Sequence, residues 1–304
     1  MPLHIQTPLI ESRPLSAIAQ RSIWLKLDAV QPCGSFKLRG VGHACEVHHQ
    51  RGATRFVSSS GGNAGLAVAY AGRQLGVAVT VVVPETTTER ARELLALEGA
   101  EVIVHGSSWQ EANQLALTLT TASDAFIHPF DDPLLWSGHA TLIDEVAQSG
   151  HKPDAVVLSV GGGGLLCGVI EGLHRNGWQD VPVIAVETEG AASFRASVDA
   201  GHSVEIERIS SIATSLGAKR VCDQAIAYLA VHTIESVIVT DRDALNACER
   251  FLVDHRVLVE PACGAALSLA YKPTALSRYP TVLMVVCGGA TATLEQIQRG
   301  LAAH

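Results

Sequence analysis

No uninterrupted apolar run in this 304-residue chain approaches the roughly 18 residues that a helical membrane span requires. Nor does the opening stretch, Met1 to Gln20, carry the basic segment and apolar core of a secretory leader. Lys and Arg are nowhere clustered and the net charge is −8, which argues against nucleic acid and anionic membrane surfaces as partners. The seven Cys are odd in number and none stands in CxxC spacing. Zinc ribbons and a disulfide framework are therefore not expected, and a reducing cytoplasm fits. Internal repeats, low-complexity tracts and long linkers are absent too. What remains is an ordinary globular composition, 47% hydrophobic and 17% charged, in one large domain or two modest ones.

Apolar runs and punctuation alternate regularly along the chain. Ile23–Asp28 alternates like a strand, Arg55–Val57 is a short strand, and residues 65–76 form a helix of small residues. A β-branched strand over 77–83 ends at Pro84, followed by a helix over 86–98, a strand over 101–104 and a helix over 108–121. Asp131-Asp132-Pro133 breaks this rhythm. A second series then begins, with a helix over 134–148, strands at 155–160, 183–187, 237–239 and 282–286, and helices over 165–175, 241–254 and 264–271. Such a βαβα pattern predicts parallel sheets joined by crossover helices. The expected organisation is two open parallel-sheet lobes with a site between them: a small domain over 33–133, and a large one from 1–32 and 134–304.

Two stretches carry chemistry. In Gly34-Ser35-Phe36-Lys37-Leu38-Arg39-Gly40 a loop tightens into a helix, with Ser35 placed to act as its N-cap and Lys37 in its first turn. The positive end of the helix dipole and partial burial both disfavour an ammonium there, and a lowered amine pKa is what Schiff-base chemistry needs. A lone Lys is ordinarily just a solvated surface residue. The second stretch, Gly161-Gly162-Gly163-Gly164, lies between a buried strand and a helix, where successive backbone N–H groups can converge on a phosphate. A tight turn alone needs one or two glycines rather than four. A dinucleotide site competes with this reading, because Glu187 ends the next strand where a ribose-binding acid belongs. The G-x-G-x-x-G spacing fails, however, since Leu166 or Cys167 falls at the sixth position, and no Lys-Ser/Thr closes a P-loop.

A phosphate cradle together with a Ser-Phe-Lys loop points to pyridoxal phosphate. The chain resembles the serine/threonine dehydratases of the fold-type II (tryptophan synthase beta-like) pyridoxal-phosphate enzymes, and among them the short serine dehydratases without a regulatory domain. The resemblance is carried by 34–40, by Ser59-Ser60-Gly61-Gly62-Asn63-Ala64-Gly65, and by Phe130-Asp131-Asp132-Pro133. It continues in Ser159-Val160 with the four glycines and Leu165, in Glu260-Pro261-Ala262-Cys263-Gly264-Ala265-Ala266, and in Cys287-Gly288-Gly289.

The resemblance implies that Lys37 binds the cofactor and removes the substrate α-proton, and that Phe36 lies against the pyridine ring. Asn63 would bond the ring's phenolic oxygen, Gly161 to Gly164 with Leu165 the phosphate, and Cys287 the pyridine nitrogen. Ser60 and the amides after it would receive the substrate carboxylate. Glu187 would assist proton transfer or offer its carbonyl to a monovalent cation, potassium, alongside the carbonyls of Gly161, Ala191 and Leu216. The implied reaction is α,β-elimination from L-serine, and from L-threonine, in a cytoplasmic homodimer serving amino-acid catabolism, without isoleucine feedback. A serine racemase, a β-replacement enzyme and a catalytically silent cofactor-binding homologue are the alternatives. Against a racemase stands Gly61, where those enzymes carry a Ser that serves the second face. The grouped His43, His48 and His49 lack a carboxylate or Cys at ligand spacing and read as a solvated helix face, while His139 reads as packing near the lobe junction.

Overall fold

The computed structural model describes residues 1–303 as an α/β structure built on two sheets. The chain starts with strand β1 (Leu9–Glu11), helix α1 (Arg13–Ala19), strand β2 (Ser22–Lys26) and helix α2 (Lys37–Gln50). Next come β3 (Arg55–Ser58), α3 (Asn63–Leu75), β4 (Ala78–Val83), α4 (Glu89–Leu97), β5 (Glu101–Val104), α5 (Trp109–Leu119) and β6 (Asp124–Phe126). Helix α6 (Pro133–Gln148) opens the second series: β7 (Ala155–Ser159), α7 (Gly164–Arg175), β8 (Val183–Thr188), α8 (Ser193–Ala200) and α9 (Asp223–Ala227). The remainder is β9 (Ile234–Val239), α10 (Asp241–His255), α11 (Pro261–Leu267), β10 (Thr281–Val285) and α12 (Leu294–Ala303). Among the described residues no helix is long and apolar enough to cross a membrane.

The smaller sheet has the order β5-β4-β3-β6 and is parallel throughout, with Phe56 of β3 opposite Val79 of β4 and Ala125 of β6. The larger runs β1-β2-β10-β7-β8-β9, parallel except that β1 runs against β2. Every residue of β7 and β8 is buried. Strands covered on both faces by helices need apolar side chains on both, which is why these segments read as continuous runs rather than alternating ones. Each sheet gathers its own hydrophobic cluster, and Trp136 of α6 packs against both.

Helix α2 is held against α6 at very short range. A Cβ on Gly40 would stand 2.5 Å from the Leu135 carbonyl, and one on Gly138 would stand 2.5 Å from the Arg39 carbonyl, so only glycine permits this crossing. His139 of α6 is fully buried there and accepts a bond from the Gly40 N–H at 3.2 Å. Arg39, also fully buried, donates to Asp28 at 2.7 Å and Glu145 at 2.6 Å, and Lys26 bonds Glu145 as well. A buried charge left unpaired is strongly destabilising, so this cluster fixes the start of α2, two residues before Arg39.

The sequence expectations need several corrections. Strands β1 and β6 are three residues each and were not expected, nor were α1, α8, α9 and α12. Helix α4 begins at Glu89, capped by Thr88, rather than at residue 86. Ser35 does not cap α2. Its backbone is bridged to Gly288, its buried hydroxyl has no hydrogen-bond partner among the described residues, and the capping position falls on Phe36 in helical geometry.

Candidate active site

The carboxyl ends of β3, β6 and β7 open onto one cleft of about 1410 Å³ between the two sheets. Crevices at such strand ends are where open α/β sheets bind ligands. The helices around this cleft begin in two ways. Helices α4 and α5, whose Thr88 and Ser108 also line the cleft, and helix α10 at Thr240 are capped by those side chains. By contrast α2, α3 and α7, with Phe36, Gly62 and Gly163 at their N-caps, carry no side-chain cap. In α2 the Leu38, Arg39 and Gly40 amides already find acceptors within the protein, whereas the first amides of α3 and α7 are left for something in the cleft to accept.

Gly163 takes φ +91°, a left-handed conformation natural to glycine, and a Cβ on Gly162 would stand 2.2 Å from the Phe130 ring. The loop thus requires glycine both for its turn and for its packing, and leaves an N–H-lined concavity suited to a phosphate. Leu165 follows in the first turn of α7, buried behind it.

Lys37 stands as the first residue of α2, and its Nζ donates to the Pro129 carbonyl. Burial lowers its pKa to about 8, against the opposing pull of the Glu260 charge. About a tenth is therefore neutral amine at pH 7 and about half near pH 8, the form that attacks an aldehyde carbon. Phe36 flanks it, with Nζ 5.2 Å from the ring centroid, and its far side rests on His139 at 4.9 Å.

Asn63 begins α3 and is buried. Its Nδ2 donates to Glu260 Oε1 at 2.8 Å, and its Oδ1 accepts from the Ala290 N–H at 3.1 Å, which fixes the orientation of the amide. Ser60 lines the cleft, its Oγ accepting from the Gly62 N–H at 3.3 Å. Cys287 lies just past β10 with its thiol pushed well above its ordinary pKa, first by contact with Cys263 and then by burial, so it is a neutral donor. Backbone bonds attach it to the lysine loop: Phe36 N–H to Cys287 O at 3.0 Å, and Gly289 N–H to Gly34 O at 3.0 Å.

Glu187 stands apart. It is fully buried, does not line the cleft, and its carboxylate accepts from the Phe194 and Arg195 amides at 2.8 Å each. Burial raises its pKa to about 7 despite those amides. Its side chain serves the start of α8 instead of reaching the reacting centre. Of the expected cation carbonyls, the structure brings Gly161 against Leu216, since a Cβ on Gly161 would lie 3.0 Å from the Leu216 Cα. The Leu216 carbonyl, however, already accepts from the Ala218 N–H at 2.8 Å. Ala191 sits in the turn after β8, its N–H bonded to the Thr188 carbonyl.

Two cleft residues escaped the sequence reading. Glu260 precedes α11 and is buried, with its pKa raised to about 7 by burial against bonds from Ser215 and Asn63. The other is His128, just after β6. The first stood inside a quoted motif, so a cleft position was readable there. Nothing local marked the second.

A lysine of lowered pKa, an N–H-lined glycine cradle, an oriented amide and a neutral thiol around one cleft fit an aldehyde-bearing, phosphorylated pyridine, the donor set of a pyridoxal-phosphate site. Residues 1–288 match the family model described as "Pyridoxal-phosphate dependent enzyme", and the chain belongs to that family. It is 46% identical over 309 residues to the Homo sapiens protein named L-serine dehydratase/L-threonine deaminase, covering 98% of this chain and 94% of that protein. It is 44% identical to the L-serine dehydratase of Dictyostelium discoideum, covering 97% and 91%. Among solved structures, a fungal L-serine ammonia-lyase from Rhizomucor miehei superposes with TM-score 0.94 at 37% identity, covering 99% of this chain and 98% of that one.

Proposed function

We propose that this chain is a pyridoxal-phosphate-dependent ammonia-lyase that converts L-serine to pyruvate and ammonia, and L-threonine to 2-oxobutanoate and ammonia, by α,β-elimination. The observation that carries this reading is the pairing in one cleft of Lys37, an amine of lowered pKa, with Cys287, a thiol kept protonated, the two joined by the Phe36 N–H bond to the Cys287 carbonyl at 3.0 Å. When bound, the cofactor supplies an electron sink for the bond at the substrate α-carbon.

The chain's residues do the rest. Lys37 Nζ would hold the cofactor at its aldehyde group and, once free, would take the α-proton of the substrate. The glycine N–H groups of 161–164 and the amide of Leu165 hold the phosphate. Asn63 Nδ2, with one N–H bonded to Glu260, would have its second N–H for the ring's phenolic oxygen. Ser60 and the following amides hold the substrate carboxylate. Cys287 Sγ–H would be a weak, uncharged partner for the ring nitrogen, which would keep the ring's pull on electrons modest and favour loss of the β-hydroxyl.

Several finer readings belong to the same proposal. The segment 33–133 acts as a small domain, supported by the four-stranded sheet that lies within it. A monovalent cation near Gly161 is supported by the approach of the 215–216 backbone. A cytoplasmic homodimer is supported by the resemblance in sequence. The test is an absorbance scan of purified protein followed by a keto-acid assay. Visible cofactor absorbance and pyruvate from L-serine are expected; absorbance without keto acid would instead favour a cofactor-binding homologue that does no elimination.

A further inference from the structure

His128 leaves the end of β6 into the cleft, and its ring is locked on three sides. Nδ1 accepts from the Asp131 N–H at 2.7 Å and the Phe130 N–H at 3.2 Å. The ring also meets Phe130 edge-on at 4.7 Å and Phe126 at 6.4 Å. With Nδ1 committed as an acceptor of two backbone donors, the proton sits on Nε2. No protein group among the described residues bonds Nε2, and that atom is not sealed in the interior. Burial, then the charge of Lys37, lowers its pKa to about 4, the Asp132 charge only partly opposing, so the ring stays neutral.

The surroundings say what this donor meets. Strands β3 and β6 are neighbours, Ile127 N–H bonding Val57 O at 2.8 Å, so the loops that leave them share one rim of the cleft. One loop carries Ser60 and the other His128, and the adjoining Pro129 carbonyl holds Lys37 Nζ. A neutral imidazole N–H is too weak an acid to give up its proton to a leaving hydroxyl. It can only donate a hydrogen bond, and the acceptor-only group of an amino acid is its carboxylate.

We infer that His128 is a substrate-binding residue whose Nε2–H donates to the carboxylate of the bound amino acid, completing from β6 the site begun by Ser60 on β3. This rests on the amino-acid substrate class proposed above. Removing a hydrogen bond to a charged group costs about 10- to 100-fold in affinity.

The test uses the holoenzyme and the variants His128→Phe and His128→Gln, the latter keeping an N–H near the Nε2 position. His128→Phe should raise KM for L-serine by about 10- to 100-fold with the smaller effect on kcat, and His128→Gln should recover part of the loss. Binding read from the cofactor's visible band gives the decisive ratio. The Phe variant should bind L-alanine more weakly while its affinity for ethylamine, which has no carboxylate, stays put. Equal losses for both ligands, or an unchanged KM, overturn the inference. If the unmodified protein shifts its band with L-alanine yet makes no keto acid, the elimination reading fails, and His128 is still judged by that ratio. Should the Phe variant not fold, His128→Leu carries the same comparison; failure of both would make the ring a packing element and overturn the assignment.

Discussion

Asn63 donates to Glu260 at 2.8 Å across the cleft, tying the first residue of α3 to the residue before α11. This pair ties elements of the two halves together at a side-chain amide that lines the cleft. Glu260 also raises the pKa of Lys37 through its charge. Replacing Glu260 with Gln removes that charge while leaving an oxygen for Asn63. Lys37 should then lose its proton more readily, and the pH at which cofactor-free protein recovers visible absorbance should move downward. A fall of about tenfold in kcat/KM is expected with it, the loss of one charge-assisted bond. An unmoved pH profile would show that Glu260 does not act on the lysine.

Lys37 itself gives a pH signature. Cofactor loading of the apoprotein should accelerate as pH rises toward about 8 and level above it, following the neutral amine. The same lowered pKa carries a stability consequence with a definite sign. Between about 8 in the folded state and 10.5 unfolded, the unfolded chain binds more protons, so apoprotein stability from this residue rises with pH across that window. Lys37→Ala should remove that rise, abolish the visible band and suppress keto-acid formation to near background. Denaturant melts at stepped pH, with the variant alongside, check the first of these.

The glycine loop is tested by Gly162→Ala. Its new methyl would fall within 2.4 Å of three Phe130 ring atoms, so the loop or the ring must move. Overpacking of this kind costs about 1–3 kcal/mol. Cofactor affinity should fall at least about tenfold, with partial recovery when Phe130→Leu makes room. Affinity measured by dialysis and reloading decides it, and full retention would place the phosphate elsewhere.

Gly61 separates elimination from racemisation. Returning a proton to the opposite face needs a second acid–base group, and Gly61 has no side chain to offer. L-serine should give pyruvate with negligible D-serine by chiral chromatography. The structure also qualifies the engineering route. A Cβ at Gly61 would stand 2.7 Å from Thr87 Cγ2 and 2.9 Å from its Oγ1. Gly61→Ser should therefore raise the D-serine share more strongly when combined with Thr87→Ala than alone. Appreciable D-serine from the unmodified protein would mean that another group serves the second face.

Much of this was legible before any coordinates. The buried strands β7 and β8 and the glycine loop announce themselves by composition, because burial on both faces and N–H exposure each demand a residue type. Lys37 is legible through its neighbours. What escaped is of two kinds. Strands of three residues, such as Asp124-Ala125-Phe126, carry too few side chains for a periodicity to register, and only pairing with β3 makes them strands. Glu260 and His128 acquire meaning from groups distant in the chain, Asn63 for one and the Ser60 loop for the other, which no local pattern encodes. Ser35 failed for a related reason: the bridge to Gly288 holds its backbone out of capping geometry.

The position of β10 bears on how the site comes into being. It is the last strand in chain order, yet it lies between β2 and β7, which do not pair with each other, and it delivers Cys287 to the backbone of the lysine loop. During synthesis the N-terminal parts emerge first, and contacts so far apart in sequence form late. Before β10 arrives, β2 has no parallel neighbour and the lysine loop lacks its backbone bonds to Cys287 and Gly289. A growing chain can thus assemble the four-stranded sheet before the surroundings of Lys37 are complete, which requires that β10 and Cys287 have left the ribosome.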